Sequence, residues 1–346
     1  MKNNQLMIYG AYGYAGELMV REAVAQRLRP IIAGRDAEKL KPIATELSLE
    51  CRAFGVRNTG SNLQDISVLL NCAGPFSATA EPLARACLAQ QIHYLDITGE
   101  IDIFRKCHAL DEEARQQNIV PTDCLAAMLK EKLPVATRID LALSFGTNPS
   151  IGTVNTMIES FGKGGLIREG GMLKVVSNAF QMRKIPFQNK PQWAMTIPWG
   201  DVFTSGISTG VPDGAVYMAM PRMSIYMIRL TNPVKGILNT QFGQKITKRL
   251  AGWLMKKGPD AKALEAGRGQ FWGEAEAPDG EKLEMTMSTP NVYALTATVG
   301  IRIAQYCLDY TGPGGYYTPS MLLGSRFIES IPGIEVHVLN QRLRKI

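Results

Sequence analysis

Three glycines near the start of the chain have the spacing of a phosphate-binding turn. Gly10, Gly13 and Gly16 follow an apolar run at residues 6–9 and precede residues 17–25, which have helical propensity. Glycines let a backbone turn tightly and approach a pyrophosphate, while the start of a helix presents N–H groups and a partial positive charge. Taken alone, the motif also fits a glycine-rich turn before a surface helix. The predicted cofactor-binding residues of this turn are Gly10, Ala11, Tyr12, Gly13, Tyr14, Ala15 and Gly16.

A second apolar run, residues 30–33, ends in Gly34, Arg35 and Asp36. An acidic residue at this position accepts a hydrogen bond from the ribose 2′-hydroxyl of NAD, whereas an arginine pairs with the 2′-phosphate of NADP. Arg35 therefore predicts NADP(H) as the cofactor. Asp36 is predicted to cap a helix over residues 37–47, and Lys39 either assists at the phosphate or is solvated.

Two further apolar runs, residues 67–70 and 93–97, lead into loops that should meet at one edge of a parallel sheet. Open α/β sheets bind ligands outside the carboxyl ends of their strands. The predicted cofactor-binding residues in these loops are Asn71, Cys72, Ala73, Gly74, Pro75, Thr98 and Gly99. Asp96, Glu100 and Asp123 are the carboxylates expected nearest to the nicotinamide, as proton donors or orienting groups. A capping or structural role is the alternative for each.

Other catalytic arrangements are not supported by the spacing of residues. None of the 11 tyrosines is followed by a lysine four positions later, so the Tyr/Lys pair of short-chain dehydrogenases is absent. Cys124 has no histidine nearby in sequence and is predicted to be structural. The six cysteines form no CxxC pair and no Cys/His cluster, so they are predicted to be reduced and buried, with no metal site.

The composition limits the class of protein. Hydrophobic residues at 45% and charged residues at 20% are typical of soluble globular proteins. Residues 1–140 carry 16 basic and 17 acidic side chains, so the net charge of +7 comes from the remainder of the chain. That excess favours an anionic ligand or surface, but dense basic tracts with interleaved aromatic residues are missing, so no nucleic-acid partner is expected.

The sequence also predicts where in the cell the protein is located. The first residues have neither the apolar core nor the cleavage site of a signal peptide. The apolar runs are shorter than the roughly 20 residues that a transmembrane helix needs. We therefore expect a cytoplasmic protein without a transmembrane span.

The motifs described above together resemble the saccharopine dehydrogenase-like family. The resemblance is carried by residues 10–16, 33–35, 71–75 and 94–100, and it continues at residues 121–126, 200–203 and 314–320. It implies an α/β fold with an N-terminal Rossmann domain, whose sheet is doubly wound and parallel, and a second α/β domain with a mixed sheet. The implied domains are residues 1–122, completed by returning helices within 288–330, and residues 123–287, which would serve substrate binding or dimerisation.

One segment departs from the family pattern. Relatives have a strand and a Gly-Phe-Asp-like stretch before the segment at 121–124, whereas here residues 118–120 lead directly into Pro121. Either the stretch is deleted or a loop is absent from the sequence, and an aspartate that the family places in the cleft is in doubt.

The second half of the chain has patterns that predict several helices and strands and one amphipathic helix. The patterns predict a helix from Thr122 through residue 133, a strand at 139–145, a helix at 152–161, strands from 174 through 231, and a helix at 291–310. Residues 245–257 predict a basic amphipathic helix, which either lies on an anionic membrane or covers an acyl ligand, or else packs its apolar stripe on the sheet.

Three functions remain open at this point. The first is an NADP(H)-dependent reductase of a hydrophobic or acyl, enoyl-type substrate. The second is a saccharopine-type oxidoreductase of an amino-acid imine, which would need arginines such as Arg183 and Arg222 to bind carboxylates. The third is a non-catalytic NADP(H)-binding scaffold that contacts lipid surfaces through residues 245–257. The expected partners are a small-molecule substrate, a peripheral membrane surface and, as a homodimer, a second copy of the chain.

Overall fold

The computed structural model describes residues 4–110, 122–146, 163–234 and 267–342, together with positions 154, 157, 158, 236, 240 and 243. The 118–121 junction and the predicted helix at 245–257 lie outside these residues, as does most of the predicted helix at 152–161. The chain divides into two compact units. The first unit is Met1–Val120 with Tyr293–Leu322, and the second is Pro121–Val292 with Leu323–Ile346.

The helices and strands of the described residues are labelled in chain order. The strands are β1 (Gln5–Tyr9), β2 (Ile31–Gly34), β3 (Cys51–Ala53), β4 (Ile66–Asn71), β5 (His93–Asp96), β6 (Arg138–Ser144), β7 (Gly165–Glu169), β8 (Met172–Val176), β9 (Met182–Pro186), β10 (Pro191–Thr196), β11 (Asp213–Ala219), β12 (Gly269–Glu276), β13 (Lys282–Thr289) and β14 (Glu335–Arg342). The α-helices are α1 (Tyr14–Ala25), α2 (Ala37–Leu47), α3 (Phe76–Ala89), α4 (Ile101–Ala109), α5 (Thr122–Lys132), α6 (Asp201–Thr209), α7 (Arg222–Leu230), α8 (Val292–Leu308) and α9 (Pro319–Leu323). Short 3-10 helices occur at Gly60–Leu63, Asn232–Val234 and Ser325–Ser330.

The first unit contains a parallel sheet with the strand order β3-β2-β1-β4-β5. Every residue of β4 is buried, and β1 is buried after its first residue, as expected for central strands covered on both faces. The order reverses direction at β1, because the chain first builds outward to β3 and then crosses to β4. This arrangement confirms the predicted Rossmann fold.

Helix α8 belongs to the first unit although it is distant in sequence, and it matches the helix predicted over 291–310. A Cβ atom on Gly300 would lie 2.8 Å from Cε of Met19 in α1 and 4.0 Å from Cδ2 of Leu70 in β4. The small residue at position 300 therefore lets α8 come close to α1 and β4.

The second unit is built on a mixed sheet, as predicted. Its order is β14-β13-β12-β6-β11-β10-β9, with β7 pairing with β11 and β8 pairing with β7. Strands β6 and β11 run parallel, while the other pairs are antiparallel. Helix α5 packs closely on one face, since a Cβ atom on Gly273 would lie 2.6 Å from Cδ1 of Leu129. The opposite face carries a buried cluster around Trp272 and Tyr217.

Some predicted elements were wrong. The sequence pattern predicts a helix over residues 82–90, but α3 begins at Phe76, because Pro75 supplies the extended backbone conformation of a helix N-cap and Pro82 lies inside the helix. The predicted strands through residue 231 include two helices, α6 and α7. The apolar residues of α7 recur with helical spacing, which the prediction of continuous strands overlooked.

Other features of the fold were missed or differ from expectation. The patterns did not predict β3, β7, β12, β13 or β14. Cys51 is exposed, contrary to the prediction that every cysteine is buried, while the other five are buried. Among the described residues, no helix is long and apolar enough to cross a membrane.

Candidate functional site

The carboxyl ends of four parallel strands lie in one row in the first unit. Tyr9 of β1 is in register with Ala33 of β2 and with Asn71 of β4, and Asn71 is in register with Asp96 of β5. The loops that follow these strands therefore leave the sheet at the same edge. This geometry brings together the three loops that the sequence analysis assigned to cofactor binding.

The glycine turn after β1 leaves no room for side chains. Gly10 has a positive φ of 84°, and a Cβ atom there would lie 2.7 Å from the backbone nitrogen of Ala73. A Cβ atom on Gly16 would lie 2.1 Å from the carbonyl oxygen of Gly10. The turn therefore packs backbone to backbone against the loop after β4, and only glycine fits at both positions.

The start of helix α1 provides the second part of a phosphate site. Gly13 is its N-cap residue and has no side chain with which to cap the helix. The residues Gly10, Ala11, Tyr12, Gly13, Tyr14, Ala15 and Gly16 thus run from the end of β1 into the first turn of α1. A helix start with this form attracts an anion through its N–H groups and its dipole.

Arg35 stands at the end of β2 with an exposed side chain. It makes no hydrogen bond or ion pair with any described residue, so its guanidinium group is available to an anion. Beside it, the ring of Tyr12 lies against Gly34, where a Cβ atom would be 2.6 Å from Cε1 of Tyr12. Nζ of Lys39 lies 5.7 Å from the centroid of the same ring. These residues form a cationic and aromatic surface.

Asp36 has the capping role that was predicted for it. Its Oδ1 accepts hydrogen bonds from the backbone N–H groups of Glu38 at 3.1 Å and Lys39 at 3.3 Å, at the start of α2. Because its carboxylate accepts these hydrogen bonds from the helix, Asp36 does not compete with Arg35 for the 2′ position of a nucleotide ribose.

Asn71 holds the loop after β4 in place. Its Oδ1 accepts a hydrogen bond from the Ala73 N–H at 3.0 Å, and its Nδ2 donates to Tyr94 Oη at 3.0 Å and to Thr79 Oγ1 at 3.3 Å. Thr79 Oγ1 in turn donates to the Ala73 carbonyl at 2.6 Å. The path of the loop Asn71, Cys72, Ala73, Gly74 and Pro75 is thus fixed by side chains from β4, β5 and α3. Thr79 had no sequence signal, because it belongs to no recognisable motif. Tyr94 lies in the stretch 94–100 that carries the family resemblance, but it was not predicted as a site residue.

Asp96, at the end of β5, is fully buried, and its Oδ1 accepts a hydrogen bond from the Thr98 N–H at 3.1 Å. Burial raises the pKa of this carboxyl to about 6, although the hydrogen bonds from Thr98 and Tyr94 act in the opposite direction. The Glu100 N–H donates to Thr98 Oγ1 at 3.1 Å, and half-buried Glu100 is the N-cap residue of α4. Asp96, Thr98, Gly99 and Glu100 therefore form one tight turn.

Asp123 lies in the second unit, in the first turn of α5, and is fully buried. Burial raises the pKa of its neighbour Cys124 well above the ordinary value, and the charges of Asp123 and Asp201 raise it further. A thiol with a raised pKa is a poor nucleophile. Cys124 therefore fits the structural role predicted for it.

The two arginines proposed for carboxylate binding already have partners in the second unit. Arg183 pairs with Glu274 at 3.2 Å and with Asp140 at 3.5 Å, and its guanidinium lies 4.6 Å from the ring centroid of Trp272. Arg222 is exposed and lies 5.1 Å from the ring centroid of Trp193.

Asp140 and Glu274, the partners of Arg183, are a buried acidic pair that the sequence analysis missed. Arg138 also pairs with Asp140, at 2.9 Å. Arg138 and Asp140 alternate in β6, as Glu274 and Glu276 do in β12, so the period of two was a usable signal that these side chains share a face.

The residues of the first unit fit a dinucleotide carrying a 2′-phosphate. The closed glycine turn and the uncapped start of α1 fit a pyrophosphate, and the available cation of Arg35 fits the additional phosphate. Within the described ranges, no group of three His, Cys, Asp or Glu side chains could hold a metal ion. Fold and site together define a nucleotide-binding Rossmann domain joined to a second α/β unit.

Comparison with known proteins assigns this domain. Residues 6–137 match the saccharopine dehydrogenase NADP binding domain. The saccharopine dehydrogenase-like oxidoreductase of Rattus norvegicus is 24% identical over 231 residues, which cover 56% of this chain and 53% of that protein. The protein of the same description from Homo sapiens is 25% identical over 117 residues, covering 28% and 27%. The chain thus spans about half the length, or less, of these curated relatives.

A solved structure shows the same fold over nearly the whole chain. The apo saccharopine dehydrogenase (L-Glu forming) of Saccharomyces cerevisiae superposes with a TM-score of 0.64 at 10% sequence identity, covering 97% of this chain and all of that one. Such a low identity shows the fold alone. The match of residues 6–137 to the saccharopine dehydrogenase NADP binding domain shows that the first unit contains an NADP(H)-binding domain.

Proposed function

We propose that the protein is an NADP(H)-dependent oxidoreductase that reduces a hydrophobic or acyl substrate of the enoyl type. The observation that carries the proposal is the available guanidinium of Arg35 beside a glycine turn that leads into the start of α1. The family of the first unit supports the cofactor. When bound, NADPH supplies the hydride for such a reduction.

The side chains and backbone of the first unit have separate roles in this proposal. Residues 10–16 hold the pyrophosphate, and Arg35 binds the 2′-phosphate with Tyr12 and Lys39 beside it. Residues 71–75, Thr98 and Gly99 line the ribose and nicotinamide half. Each role follows from the position of these residues at the carboxyl edge of the sheet.

Asp96, Glu100 and Asp123 are proposed as the proton-donating or orienting carboxylates. A carboxyl whose pKa is about 6, as at Asp96, can hold a proton close to neutral pH, which an ordinary aspartate cannot do. Asp123 is also buried, in the first turn of α5 in the second unit. Glu100 follows Asp96 within the same turn.

The partners of Arg183 and Arg222 favour a hydrophobic substrate over a saccharopine-type imine. An imine joining an amino acid to an oxo acid carries several carboxylates, and binding it needs arginines with unpaired charge. Arg183 is neutralised by Asp140 and Glu274, and Arg222 is stacked on Trp193. The charge of Arg183 is therefore not available to a substrate carboxylate.

Replacing Arg35 with alanine tests the cofactor assignment. We expect Arg35→Ala to weaken NADPH binding by about 10- to 100-fold and to leave NADH binding unchanged, because a charge-assisted hydrogen bond contributes about 1.5–3 kcal/mol. Isothermal titration of both nucleotides measures the effect. Arg27→Ala is the control, since Arg27 is also exposed but follows the end of α1 that is remote from the site. Equal losses for both nucleotides would contradict the role of Arg35.

Substrate class is tested by the oxidation of NADPH, followed by absorbance. We expect turnover with enoyl thioesters of increasing chain length and none with amino-acid imines. Turnover of the imines instead would favour the saccharopine-type function. Tight NADPH binding without turnover of either class would favour a non-catalytic scaffold.

The proposal also covers the roles of the two domains, the location of the protein and its oligomeric state. We assign residues 1–122, completed by 288–330, to cofactor binding, and residues 123–287 to substrate binding and to the contact between two copies of the chain. The protein would act in the cytoplasm as a homodimer. Light scattering of the purified protein measures its oligomeric state.

A further inference from the structure

Helix α7 in the second unit exposes its apolar residues instead of burying them. Met223, Tyr226, Met227 and Leu230 follow the spacing i, i+3, i+4 and i+7, which places them along one stripe. Their exposed fractions are 71%, 37%, 58% and 72%. Amphipathic helices of globular proteins normally turn such a stripe towards the core. We call these four residues the α7 stripe.

The opposite side of α7 fixes the helix on the second unit. Ile225 is fully buried, and α7 packs on β10. At the first turn, the Arg222 guanidinium lies between the rings of Trp193 and Tyr226, with its Nε donating to Tyr226 Oη at 3.1 Å. The α7 stripe therefore faces outward from a helix whose position is fixed.

The last turn of α7 is held by a neighbouring loop. Nε of Arg229 donates to the Ala179 carbonyl at 2.9 Å, and Asn232 exchanges two hydrogen bonds with the backbone of Asn178. The next residue of that loop, Phe180, is itself 45% exposed. Phe180 is thus a fifth large apolar side chain on the surface, and its loop is hydrogen-bonded to the end of α7.

The stretch of sequence that contains α7 has basic residues and no acidic ones. Between Asp213 and Asp260 the chain contains no acidic residue, while it contains eight basic ones: Arg222, Arg229, Lys235, Lys245, Lys248, Arg249, Lys256 and Lys257. This segment alone accounts for more than the net charge of +7. Of these eight residues, Arg222 and Arg229 belong to the described part of the chain, where they lie in the first and the last turn of α7. An apolar stripe with basic residues on the same helix is the composition of a helix that lies in the headgroup region of an anionic membrane.

We propose that the α7 stripe docks on a lipid bilayer that carries anionic headgroups. Arg222 and Arg229 would contact the headgroups while the methionines, Tyr226 and Leu230 enter the boundary of the acyl chains. A second copy of this chain is a poorer occupant, because a two-fold contact through the α7 stripe would bring Arg222 and Arg229 of both copies together, and α7 has no acidic residue to pair with them. Nucleic acid does not match a stripe of apolar side chains.

Vesicle flotation tests the proposal with the full chain. We expect the protein to bind vesicles of phosphatidylcholine and phosphatidylserine at a molar ratio of about 7:3, and not vesicles of phosphatidylcholine alone. Replacing Met223, Met227 and Leu230 together with serine should lower the partition coefficient by more than about tenfold, as should Arg222→Gln with Arg229→Gln. NADPH binding is measured in parallel, and it should be unchanged because α7 lies outside the cofactor unit.

A matched control removes apolar surface elsewhere in the second unit. Val135 and Met172 are 62% and 74% exposed, so Val135→Ser with Met172→Ser should bind vesicles as the unmodified protein does. Wild-type affinity of the triple serine variant, or failure of the unmodified protein to bind anionic vesicles, would overturn the proposal. Light scattering could also overturn the proposal. A dimer of the unmodified protein that the triple variant does not form would show that a second copy covers the α7 stripe.

Discussion

At the scale of single residues, the environment of Asp96 changes its chemistry most clearly. Its side chain is fully buried between the ends of β5 and α4, and removal from water raises its pKa to about 6. The ordinary value of 3.8 applies in the unfolded chain. The folded state therefore binds a proton at this site over a pH range in which the unfolded state does not.

This difference predicts how stability depends on pH. Because the folded pKa is the higher one, the contribution of protonated Asp96 to stability is fully present below about pH 4 and is lost as the pH rises through about 6. Asp96→Asn removes the titration, so wild type should lose about 2–3 kcal/mol relative to the variant between pH 4 and pH 7. Urea unfolding at several pH values measures this loss.

The control for this measurement is Asp65→Asn. Asp65 is exposed and has a positive φ of 64°, which asparagine tolerates equally well. This variant shows what replacing an exposed carboxylate with an amide does to stability over the same pH range. Parallel curves for Asp96→Asn and wild type would show that burial does not raise the pKa of Asp96.

At the scale of elements, the site depends on how strands and helices hold a loop. The Asn71 side chain connects the end of β4 to Tyr94 in β5 and to Thr79 in α3, and through the Ala73 N–H it fixes the loop that contacts Gly10. All of these groups lie at the carboxyl edge of the parallel sheet. A buried amide with several partners makes the shape of this edge specific.

Asn71→Ala should therefore affect both stability and cofactor binding. We expect a loss of about 2–4 kcal/mol in the free energy of unfolding, since the hydroxyl of Tyr94 and the Ala73 N–H lose a buried partner. NADPH binding should weaken as well, because the loop after β4 loses its fixed path. Unfolding in urea and titration with NADPH measure the two effects.

Asn62→Ala is the matched control, since its amide donates to the Asn58 carbonyl in an exposed position. We expect it to change stability by less than about 0.5 kcal/mol. An Asn71→Ala variant that is as stable as Asn62→Ala would contradict the structural role of the Asn71 amide.

At the scale of the whole molecule, the first unit is discontinuous in sequence. The match to the NADP binding domain covers residues 6–137, yet the unit also needs Tyr293–Leu322. Helix α8 packs on α1 and β4 at Gly300, and Thr298 Oγ1 hydrogen bonds Glu22 Oε1 at 3.1 Å. The cofactor site therefore rests on a core to which two segments far apart in the sequence contribute.

A double-mutant cycle tests this contribution. Gly300→Leu should destabilise the protein by about 1–3 kcal/mol, because the new side chain meets Met19. Met19→Ala should also destabilise it by leaving a cavity. Together the changes should cost at least about 1 kcal/mol less than their sum, since each relieves the other. Thermal unfolding with and without NADPH measures the four proteins, and additive effects would show that α8 does not pack on Met19.

What the sequence determined by itself was local chemistry. The spacing of Gly10, Gly13 and Gly16, the arginine after β2 and the cap at Asp36 each act within a few residues, so their roles follow from residue type and order. The parallel sheet also followed, because buried strands and amphipathic helices alternate along residues 5–109. These signals are local, since backbone conformation and hydrogen bonding to near neighbours produce them.

Only the tertiary structure decided which distant groups meet. The pairing of Arg183 with Glu274 joins residues 91 positions apart, and it removes an arginine that the sequence left available for substrate. The outward orientation of α7 was equally hidden, because helical spacing of apolar residues indicates a stripe without indicating what covers it. Burial and charge pairing depend on packing between elements, and no local pattern of residues specifies that packing.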